Sequence, residues 1–449
     1  MMIKQCLFLF IALILNIGIS FGQTKKVFAH YMVCFTSYGN GTVEGYKKDI
    51  QDAQNLGIDG FALNCGSWDS SYKLHVAHLF QAAAELGTNF KVFFSVDRCC
   101  NITDNQVEDM IQTYANSPNY FKFNTRPFLS AWGGGGSFKN VVNDLKRKGH
   151  NLYFVPFLYS KGLGNYDVEI PDYNTVLENY TDVWKNYIDG YFYFGAVGIP
   201  VRNNRGSDID VAESIAKVTH DNKITFMSFV SPEYWGDKQG GSGRRYYEYN
   251  GGEGLISEWE SIIKIQKPEW VELTTWNDWT EGTYFSPISN IDDYLPTLRQ
   301  YHNEKGFYKS HKGFAELSRY YIQWYKTGMR PAIKKDEIFY FYRTQSKNID
   351  VSDPKGKVSK LNGEVDDEIY VTSFLTAPAE LVVSSGKSTT NYKLPRGINN
   401  TRMPFSFGKQ YFKVLRNGKT IINQQGEDII QFPQSYNFYV YSGSATSKD

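Results

Sequence analysis

The sequence predicts an α/β protein, with a (β/α)8 TIM-type barrel followed by a C-terminal antiparallel β-sandwich. Short apolar runs alternate with amphipathic stretches as far as Pro331, and short strand-like runs replace this pattern afterwards. Eight strand–helix units in about 300 residues is the size of such a barrel. An open doubly wound sheet is the alternative, but its first strand normally leads into a glycine-rich turn, where this chain has Val33-Cys34-Phe35-Thr36.

The N-terminus has the pattern of a cleavable signal peptide. Lys4 precedes an apolar run from Cys6 to Ile19, and small residues at Ser20 and Gly22 predict cleavage after Gly22. The alternative, a membrane anchor, needs roughly 18 apolar residues, which neither this run nor any later one reaches. We therefore expect a signal peptide at 1–22, a barrel at 23–333 and a β-sandwich at 334–449, in a secreted or periplasmic protein without a membrane span.

The barrel elements follow in chain order. The predicted strands are 27–33, 60–65, 91–97, 127–132, 152–159, 190–198, 224–232 and 270–278. The amphipathic segments between them predict helices at 44–56, 72–86, 104–115, 138–148, 173–187, 208–220 and 254–265, with the last helices within 295–325. Several of these helices end near a glycine, as at Gly57, Gly87 and Gly149, which is a typical helix stop.

The C-terminal strands are shorter and closer together. They are predicted at 337–342, 368–374, 380–384, 410–415, 420–423 and 436–441. Asn417-Gly418 between two of these runs predicts a two-residue hairpin turn.

Composition excludes several classes of protein. Lys and Arg number 48 against 47 Asp and Glu, so the formal net charge of +1 gives no electrostatic footprint for nucleic acid. The 5 Cys match no zinc-binding spacing, so we expect no metal. Cleavage would leave Cys34, Cys65, Cys99 and Cys100, among which one disulfide is plausible. We expect a monomer.

Reacting groups in such a barrel gather where the strands end. His30 lies on the first strand, and Asn64, Asp97 and Trp132 close the next three, so all four are candidates for binding a substrate. Asp97 is the strongest of them, because a buried carboxylate is costly unless it has a partner. For His30, a hydrogen-bonded core histidine is an equally good interpretation.

The densest group follows the eighth strand. Thr274 to Tyr284 carries two carboxylates three residues apart, Asp278 and Glu281, and such a pair can cleave a glycosidic bond by acid and base catalysis. We predict that Trp276, Asn277, Trp279 and Tyr284 contact the sugar, since aromatic walls desolvate the carboxylates and offer flat faces to a sugar ring. The alternative is that these are ordinary loop carboxylates, one of them capping a helix.

Five blocks of sequence resemble glycoside hydrolase family 71, the α-1,3-glucanases or mutanases. They are His30-Tyr31-Met32, Asp59-Gly60-Phe61-Ala62-Leu63-Asn64, Phe93-Phe94-Ser95-Val96-Asp97, Tyr153-Phe154-Val155-Pro156 and Trp276-Asn277-Asp278-Trp279-Thr280-Glu281. The resemblance implies a barrel followed by a β-rich domain, hydrolysis of α-1,3-glucan with inversion, no cofactor, and a catalytic pair at Asp278 and Glu281. The stretch from Thr280 to Thr283 instead resembles the endo-α-mannosidases of family 99.

We therefore expect an exported glycoside hydrolase acting on an α-glucan polysaccharide or oligosaccharide, with Glu281 as general acid and Asp278 as general base. An endo-α-mannosidase or mannanase is the alternative within the same class. A glycan-binding protein that no longer catalyses is the alternative from another class, although retention of both carboxylates argues against it.

Overall fold

A computed structural model describes residues 25–98, 102–132, 137–157, 172–195, 208–237, 244–247, 250–294, 298, 302, 304–362 and 365–447. The predicted signal peptide lies outside these ranges, as do Cys99 and Cys100. Cys65 is a buried free thiol. Within these ranges no helix has the length and apolar character needed to cross a membrane.

The first part of the chain alternates strands and helices. The strands are β1 (Lys26–Met32), β2 (Gly60–Cys65), β3 (Lys91–Asp97), β4 (Lys122–Phe123), β5 (Arg126–Trp132), β6 (Tyr153–Phe154), β7 (Gly190–Phe192), β8 (Thr225–Val230), β9 (Tyr234–Gly236), β10 (Arg244–Tyr247) and β11 (Trp270–Leu273). The helices are α1 (Val43–Asn55), α2 (Ser70–Leu86), α3 (Asp104–Tyr114), α4 (Ser137–Arg147), α5 (Tyr173–Glu178), α6 (Asp208–Asp221), α7 (Gly251–Ser261), α8 (Ile291–Tyr294) and α9 (Lys312–Thr327).

Among the described residues, eight parallel strands form one curled sheet in the order β6-β5-β3-β2-β1-β11-β8-β7. Every residue of β2 and β8 is buried, as is typical of parallel strands covered on both faces. All the strands point the same way, so their carboxyl ends meet at one end of the sheet. That end carries the candidate site.

The helix signals in the sequence act as predicted. The Thr42 hydroxyl accepts a hydrogen bond from Gly45 N–H at the start of α1, and the Asp69 carboxylate caps α2 in the same way. Gly57 and Gly87 follow these two helices with φ of 89° and 63°, the left-handed region in which glycine ends a helix.

Several predicted strands were too long. The eighth was predicted to reach Asp278, but β11 ends at Leu273. Beyond it Thr275 N–H donates to Thr283 O, outside the parallel sheet, while Trp276 N–H still donates to His30 O of β1. The C-terminal run predicted at 436–441 is likewise wrong in its first half. The backbone N–H groups of Tyr436 and Asn437 donate to the side chains of Asp353 and Gln345 instead of to a strand, and β20 starts only at Val440.

The C-terminal part consists of β12 (Glu337–Arg343), β13 (Val358–Asn362), β14 (Glu368–Leu375), β15 (Ala379–Ser385), β16 (Ser388–Leu394), β17 (Gly397–Pro404), β18 (Gln410–Arg416), β19 (Lys419–Gln425) and β20 (Val440–Thr446). Two four-stranded antiparallel sheets, β17-β14-β12-β20 and β16-β15-β18-β19, share one apolar cluster. In it Tyr340 stacks on Phe412 with 4.3 Å between ring centroids. The hairpin predicted at Asn417-Gly418 is confirmed, with φ of 51° and 75° and with Arg416 paired to Lys419.

The sheet containing β12 also packs against the first part of the chain. The Phe341 ring lies 4.7 Å from the Phe314 ring of α9, and Phe374 lies 4.8 Å from Tyr320. In addition, β13 pairs in parallel with β10, which belongs to the loop following β8. The sheets at the C-terminus therefore reach the end of the parallel sheet where the candidate site lies.

Candidate active site

Four neighbouring strands contribute one line of hydrogen-bonded side chains. On β11 and β1, Glu272 Oε1 lies 2.6 Å from His30 Nδ1. On β2, Asn64 Nδ2 lies 3.1 Å from His30 Nε2 and 3.5 Å from Asp97 Oδ2 at the end of β3. The structure thus brings together His30, Asn64 and Asp97, as predicted, and adds Glu272 behind them.

This line of contacts specifies one protonation pattern. The amide nitrogen of Asn64 can only donate, so His30 Nε2 accepts and His30 Nδ1 carries the hydrogen that is donated to Glu272. Burial raises the pKa of Glu272, and the hydrogen bond from His30 opposes that rise. The hydrogen-bonded pair of His30 and Glu272 therefore orients the Asn64 side chain towards Asp97. Asp97 itself is only partly buried.

The predicted acid and base pair lies on one short turn. Asp278 precedes a 3-10 helix, Trp279–Glu281, and its Oδ1 accepts hydrogen bonds from Glu281 N–H at 3.2 Å and from the Thr280 hydroxyl at 3.1 Å. Asp278 N–H donates to Thr275 Oγ1 at 2.8 Å. Asp278 therefore caps a helix, as the alternative interpretation of the sequence proposed. The same bonds fix the position of the Glu281 backbone. Asp278 is 7% exposed and Glu281 is partly buried.

A hairpin after β8 lies beside this pair. Tyr234 pairs with Tyr247 across β9 and β10, and their rings are 5.2 Å apart. Arg245 Nη2 donates to the Tyr234 hydroxyl at 3.4 Å, and the guanidinium lies over the Tyr234 ring. Burial raises the pKa of Tyr234, and the negative charges of Glu281 and Asp278 raise it further.

The guanidinium of Arg245 also interacts electrostatically with the carboxylate of Glu281. Burial by itself would lower the pKa of the guanidinium, but Tyr234, Tyr247 and Glu281 together raise it. Arg245 thus places a fixed positive charge near one member of the carboxylate pair.

Aromatic rings line another part of the same end of the sheet. Trp132, which closes β5, is partly buried, and its ring lies 6.0 Å from Phe194 and 6.3 Å from Phe157. The Phe194 ring lies 5.0 Å from the imidazole of His30. Of the aromatic residues predicted to contact a sugar, Trp132 is the one whose surroundings still fit that role.

The structure contradicts the sugar-binding roles predicted for Trp276 and Asn277. Trp276 is fully buried, and its indole N–H donates to Asp49 Oδ1 of α1 at 3.0 Å. The Asn277 side chain is bonded to the backbone after β1, accepting from Met32 N–H and donating to the carbonyls of Met32 and Phe35. Both side chains hold the loop in place.

Trp279 and Tyr284 are placed in the same way, and His30 fits its alternative interpretation as a hydrogen-bonded core histidine. Trp279 and Tyr284 are fully buried, with their rings 4.5 Å apart, and the Tyr284 hydroxyl donates to the Lys309 carbonyl. His30 is 1% exposed, and both its ring nitrogens are bonded. These residues can shield and support the site, but they present no surface to a substrate.

Glu272, Tyr234, Arg245 and Phe194 are residues of the site that sequence reasoning missed. A signal existed for Glu272, because a single carboxylate within the apolar strand Trp270-Val271-Glu272-Leu273 requires a buried partner. The loop residues gave no comparable signal. Over the part of the chain that the structure describes, no three His, Cys, Asp or Glu side chains form a group that could hold a metal ion.

Comparisons with known proteins agree with this chemistry. The family described as "Glycosyl hydrolase family 71" matches residues 23–449. A glucan endo-1,3-α-glucosidase of Schizosaccharomyces pombe is 27% identical over 97% of this chain and 99% of its own length. A mutanase of Penicillium rubens is 28% identical over 95% of this chain and 90% of its own length.

Among solved structures, a GH99 endo-α-mannosidase from Bacteroides thetaiotaomicron is similar at 14% identity, with a TM-score of 0.49. The match covers 67% of this chain and 97% of that protein.

Proposed function

Because the chain belongs to glycosyl hydrolase family 71, and is therefore a glycoside hydrolase, we propose that it is exported and that it cleaves the α-1,3-glucosidic linkages of a polysaccharide with inversion. The observation that carries the proposal is the turn from Asp278 to Glu281, which presents two carboxylates at the carboxyl end of the parallel sheet.

Glu281 serves as the general acid in this proposal. It donates its proton to the glycosidic oxygen while the bond from that oxygen to the anomeric carbon breaks. Arg245 lies close enough to Glu281 for their charges to interact, so a fixed positive charge lies beside the proposed acid.

Asp278 serves as the general base. It accepts a proton from a water molecule, and the water oxygen forms the new bond to the anomeric carbon from the opposite face of the ring, which inverts the configuration. Asp278 Oδ1 accepts hydrogen bonds from Glu281 N–H and the Thr280 hydroxyl, and these bonds hold the carboxylate of the proposed base in one orientation.

Asp97, oriented by Asn64, is proposed to bind sugar hydroxyls, and Trp132 to line a subsite. Asp97 is supported by its place at the end of β3 and by its partial exposure, because a carboxylate there can accept hydrogen bonds from a sugar.

The architecture that we propose is a closed (β/α)8 barrel followed by a β-sandwich in a monomeric, exported protein. Barrel closure is supported by hydrogen bonds from Asp189 N–H to Phe154 O at 2.8 Å and from Phe192 N–H to Pro156 O at 3.0 Å, because they link the two ends of the curled sheet. The apolar cluster shared by the two C-terminal sheets supports a sandwich.

A reducing-sugar assay tests the proposed function. The purified protein is incubated with α-1,3-glucan, α-1,4-glucan, α-mannan and β-glucan, and we expect sugar release from α-1,3-glucan. Activity on α-mannan alone would favour the second candidate, an endo-α-mannosidase, which the stretch from Thr280 to Thr283 resembles. Binding to a glucan without release of sugar from any of the four would indicate a glycan-binding protein.

A further inference from the structure

The chain that connects β19 to the last strand, β20, contacts the turn that carries the carboxylate pair. We call residues 435–440 the joining segment. Its side chains are almost completely buried, with Tyr439 at 0% exposure. The Phe438 ring packs against Trp235 and Tyr246 of the hairpin formed by β9 and β10, at centroid distances of 5.3 and 5.7 Å.

Tyr439 makes the contact that matters most for the site. Its hydroxyl donates to the carbonyl of Trp279 at 2.5 Å, and Trp279 is the residue between Asp278 and the rest of the turn. On the other side of the turn, a Cβ added at Gly282 would lie 3.0 Å from Cε1 of the Tyr439 ring. The turn that carries both carboxylates thus lies against one tyrosine.

Other contacts fix Tyr439 itself. Its N–H donates to Asn437 Oδ1 at 3.1 Å, and Asn437 Nδ2 donates to the carbonyl of Phe307 at 2.6 Å. The next residue, Val440, donates its N–H to Glu233 Oε1 at 2.8 Å. Because both sides of Tyr439 are held by buried hydrogen bonds, its hydroxyl has little freedom to move.

We propose that Tyr439 is a positioning residue for the carboxylate pair, so that the C-terminal part of the chain helps to build the active site. The hydroxyl satisfies a buried carbonyl in the middle of the turn, and its loss would leave that carbonyl without its donor. A displacement of about 1 Å at reacting groups can lower a rate by about 100-fold. The catalytic part of this inference rests on the proposed function.

The test compares two Tyr→Phe variants of the full-length protein. Tyr439→Phe removes the hydroxyl that bonds the turn. The matched control, Tyr342→Phe, removes a hydroxyl that donates to the Glu427 carbonyl at 2.7 Å, inside the C-terminal part and away from the turn. On α-1,3-glucan we expect Tyr439→Phe to lower kcat at least ten-fold with KM within about two-fold, and Tyr342→Phe to change neither by more than two-fold.

Hydrogen–deuterium exchange gives a readout that needs no activity. Tyr439→Phe should increase exchange in peptides covering residues 276–284, where Glu281 N–H bonds to Asp278, and Tyr342→Phe should leave these peptides unchanged. Equal exchange of residues 276–284 in Tyr439→Phe and Tyr342→Phe would overturn the positioning role. If the wild type is active, equal kcat values in these two variants would overturn it as well. If the wild type proves inactive on every glycan while only Tyr439→Phe loosens the turn, the proposed function fails and the structural role of Tyr439 stands.

Discussion

Asp278 caps a turn and belongs to the proposed catalytic pair at the same time. The capping bonds from the Thr280 hydroxyl and the Glu281 N–H both end on Oδ1 of Asp278. The cap therefore ties the position of one carboxylate to the backbone of the other. Asp278 and Glu281 are three residues apart in the sequence, and the bond from Glu281 N–H to Asp278 Oδ1 fixes how they lie relative to one another in the folded protein.

The first prediction concerns this pair. Asp278→Asn and Glu281→Gln should each lower kcat by several orders of magnitude with the fold intact, because each removes a proton-transfer group worth roughly 10²-fold or more. The measurement is kcat on α-1,3-glucan, with circular dichroism to check folding. A substrate with a good leaving group needs little protonation, so it should rescue Glu281→Gln and not Asp278→Asn. Rescue of only the Asp278 variant would exchange the two roles.

Asp97 is expected to behave differently. Asp97→Asn should lower kcat/KM by less than Asp278→Asn does, mainly by raising KM, because Asp97 lies at the end of β3 and is proposed to bind sugar hydroxyls. Steady-state kinetics on glucan oligosaccharides measure this. If the loss is as deep as that of Asp278→Asn at unchanged thermal stability, Asp97 takes part in the chemistry directly.

Asp49 gives a prediction about stability and pH. Burial raises its pKa to about 7, although Trp276 and Tyr31 donate hydrogen bonds to it. Between about pH 4 and pH 7 the unfolded chain loses this proton while the folded chain keeps it, so the contribution of Asp49 to the free energy of unfolding falls as pH rises through that window, by about 1.4 kcal/mol for each pKa unit.

In Asp49→Asn this part of the pH dependence should disappear. Urea unfolding at pH 4, 5, 6 and 7 measures the effect as the difference between wild type and variant. Asp52→Asn in the same helix is the control, since Asp52 is only partly buried and should show a smaller change. Parallel pH profiles for wild type and Asp49→Asn would contradict the raised pKa.

At this scale the sequence predicted where the candidate carboxylates lie but not which aromatic residues are accessible. The positions of Asp278, Glu281 and Asp97 were predictable because each lies at or after the carboxyl end of a strand of the parallel sheet. The burial of Trp279 was not, because the chain packed around it includes Tyr439, which bonds its carbonyl from 160 residues later in the sequence. Local sequence shows the residue types in a loop, whereas exposure depends on what packs over that loop.

At the scale of elements, the hairpin of β9 and β10 is the part of the site that the strand pattern did not predict. Its strands are three and four residues long, too short for alternation to stand out. They are stabilised by pairing with β13 and by packing on Phe438, both from the C-terminal part. The longer barrel strands and the Asn417-Gly418 hairpin were predictable, because their signals are local.

The hairpin carries the next prediction. Arg245→Gln should lower kcat/KM on α-1,3-glucan about ten-fold, because it removes the positive charge near Glu281, and Arg245→Lys should retain more of the activity. Arg147→Gln is the control, since Arg147 is exposed on α4. Equal activities of Arg245→Gln and the control would exclude Arg245 from the site.

At the scale of the whole molecule, the C-terminal sheets are part of the support of the site. Side chains of the sheet containing β12 share an apolar cluster with the second sheet, and Phe341 and Phe374 of the same sheet contact Phe314 and Tyr320 of α9. The sequence predicted two regions with a junction near residue 334, since strand spacing changes there. It could not predict that residues 435–440 return to the carboxyl end of the parallel sheet, because that contact depends on the packing of the complete chain.

The stereochemistry of the first product tests the central claim most directly. Single displacement by water at an α-1,3-glucosidic bond must release the β-anomer first. Proton NMR of α-1,3-glucan oligosaccharides digested by the wild-type enzyme, recorded before mutarotation, measures this. We expect the β-anomeric signal to appear first and the α-anomeric signal to grow only as mutarotation proceeds. Initial release of the α-anomer, or hydrolysis of α-mannan with none of α-1,3-glucan, would contradict the account.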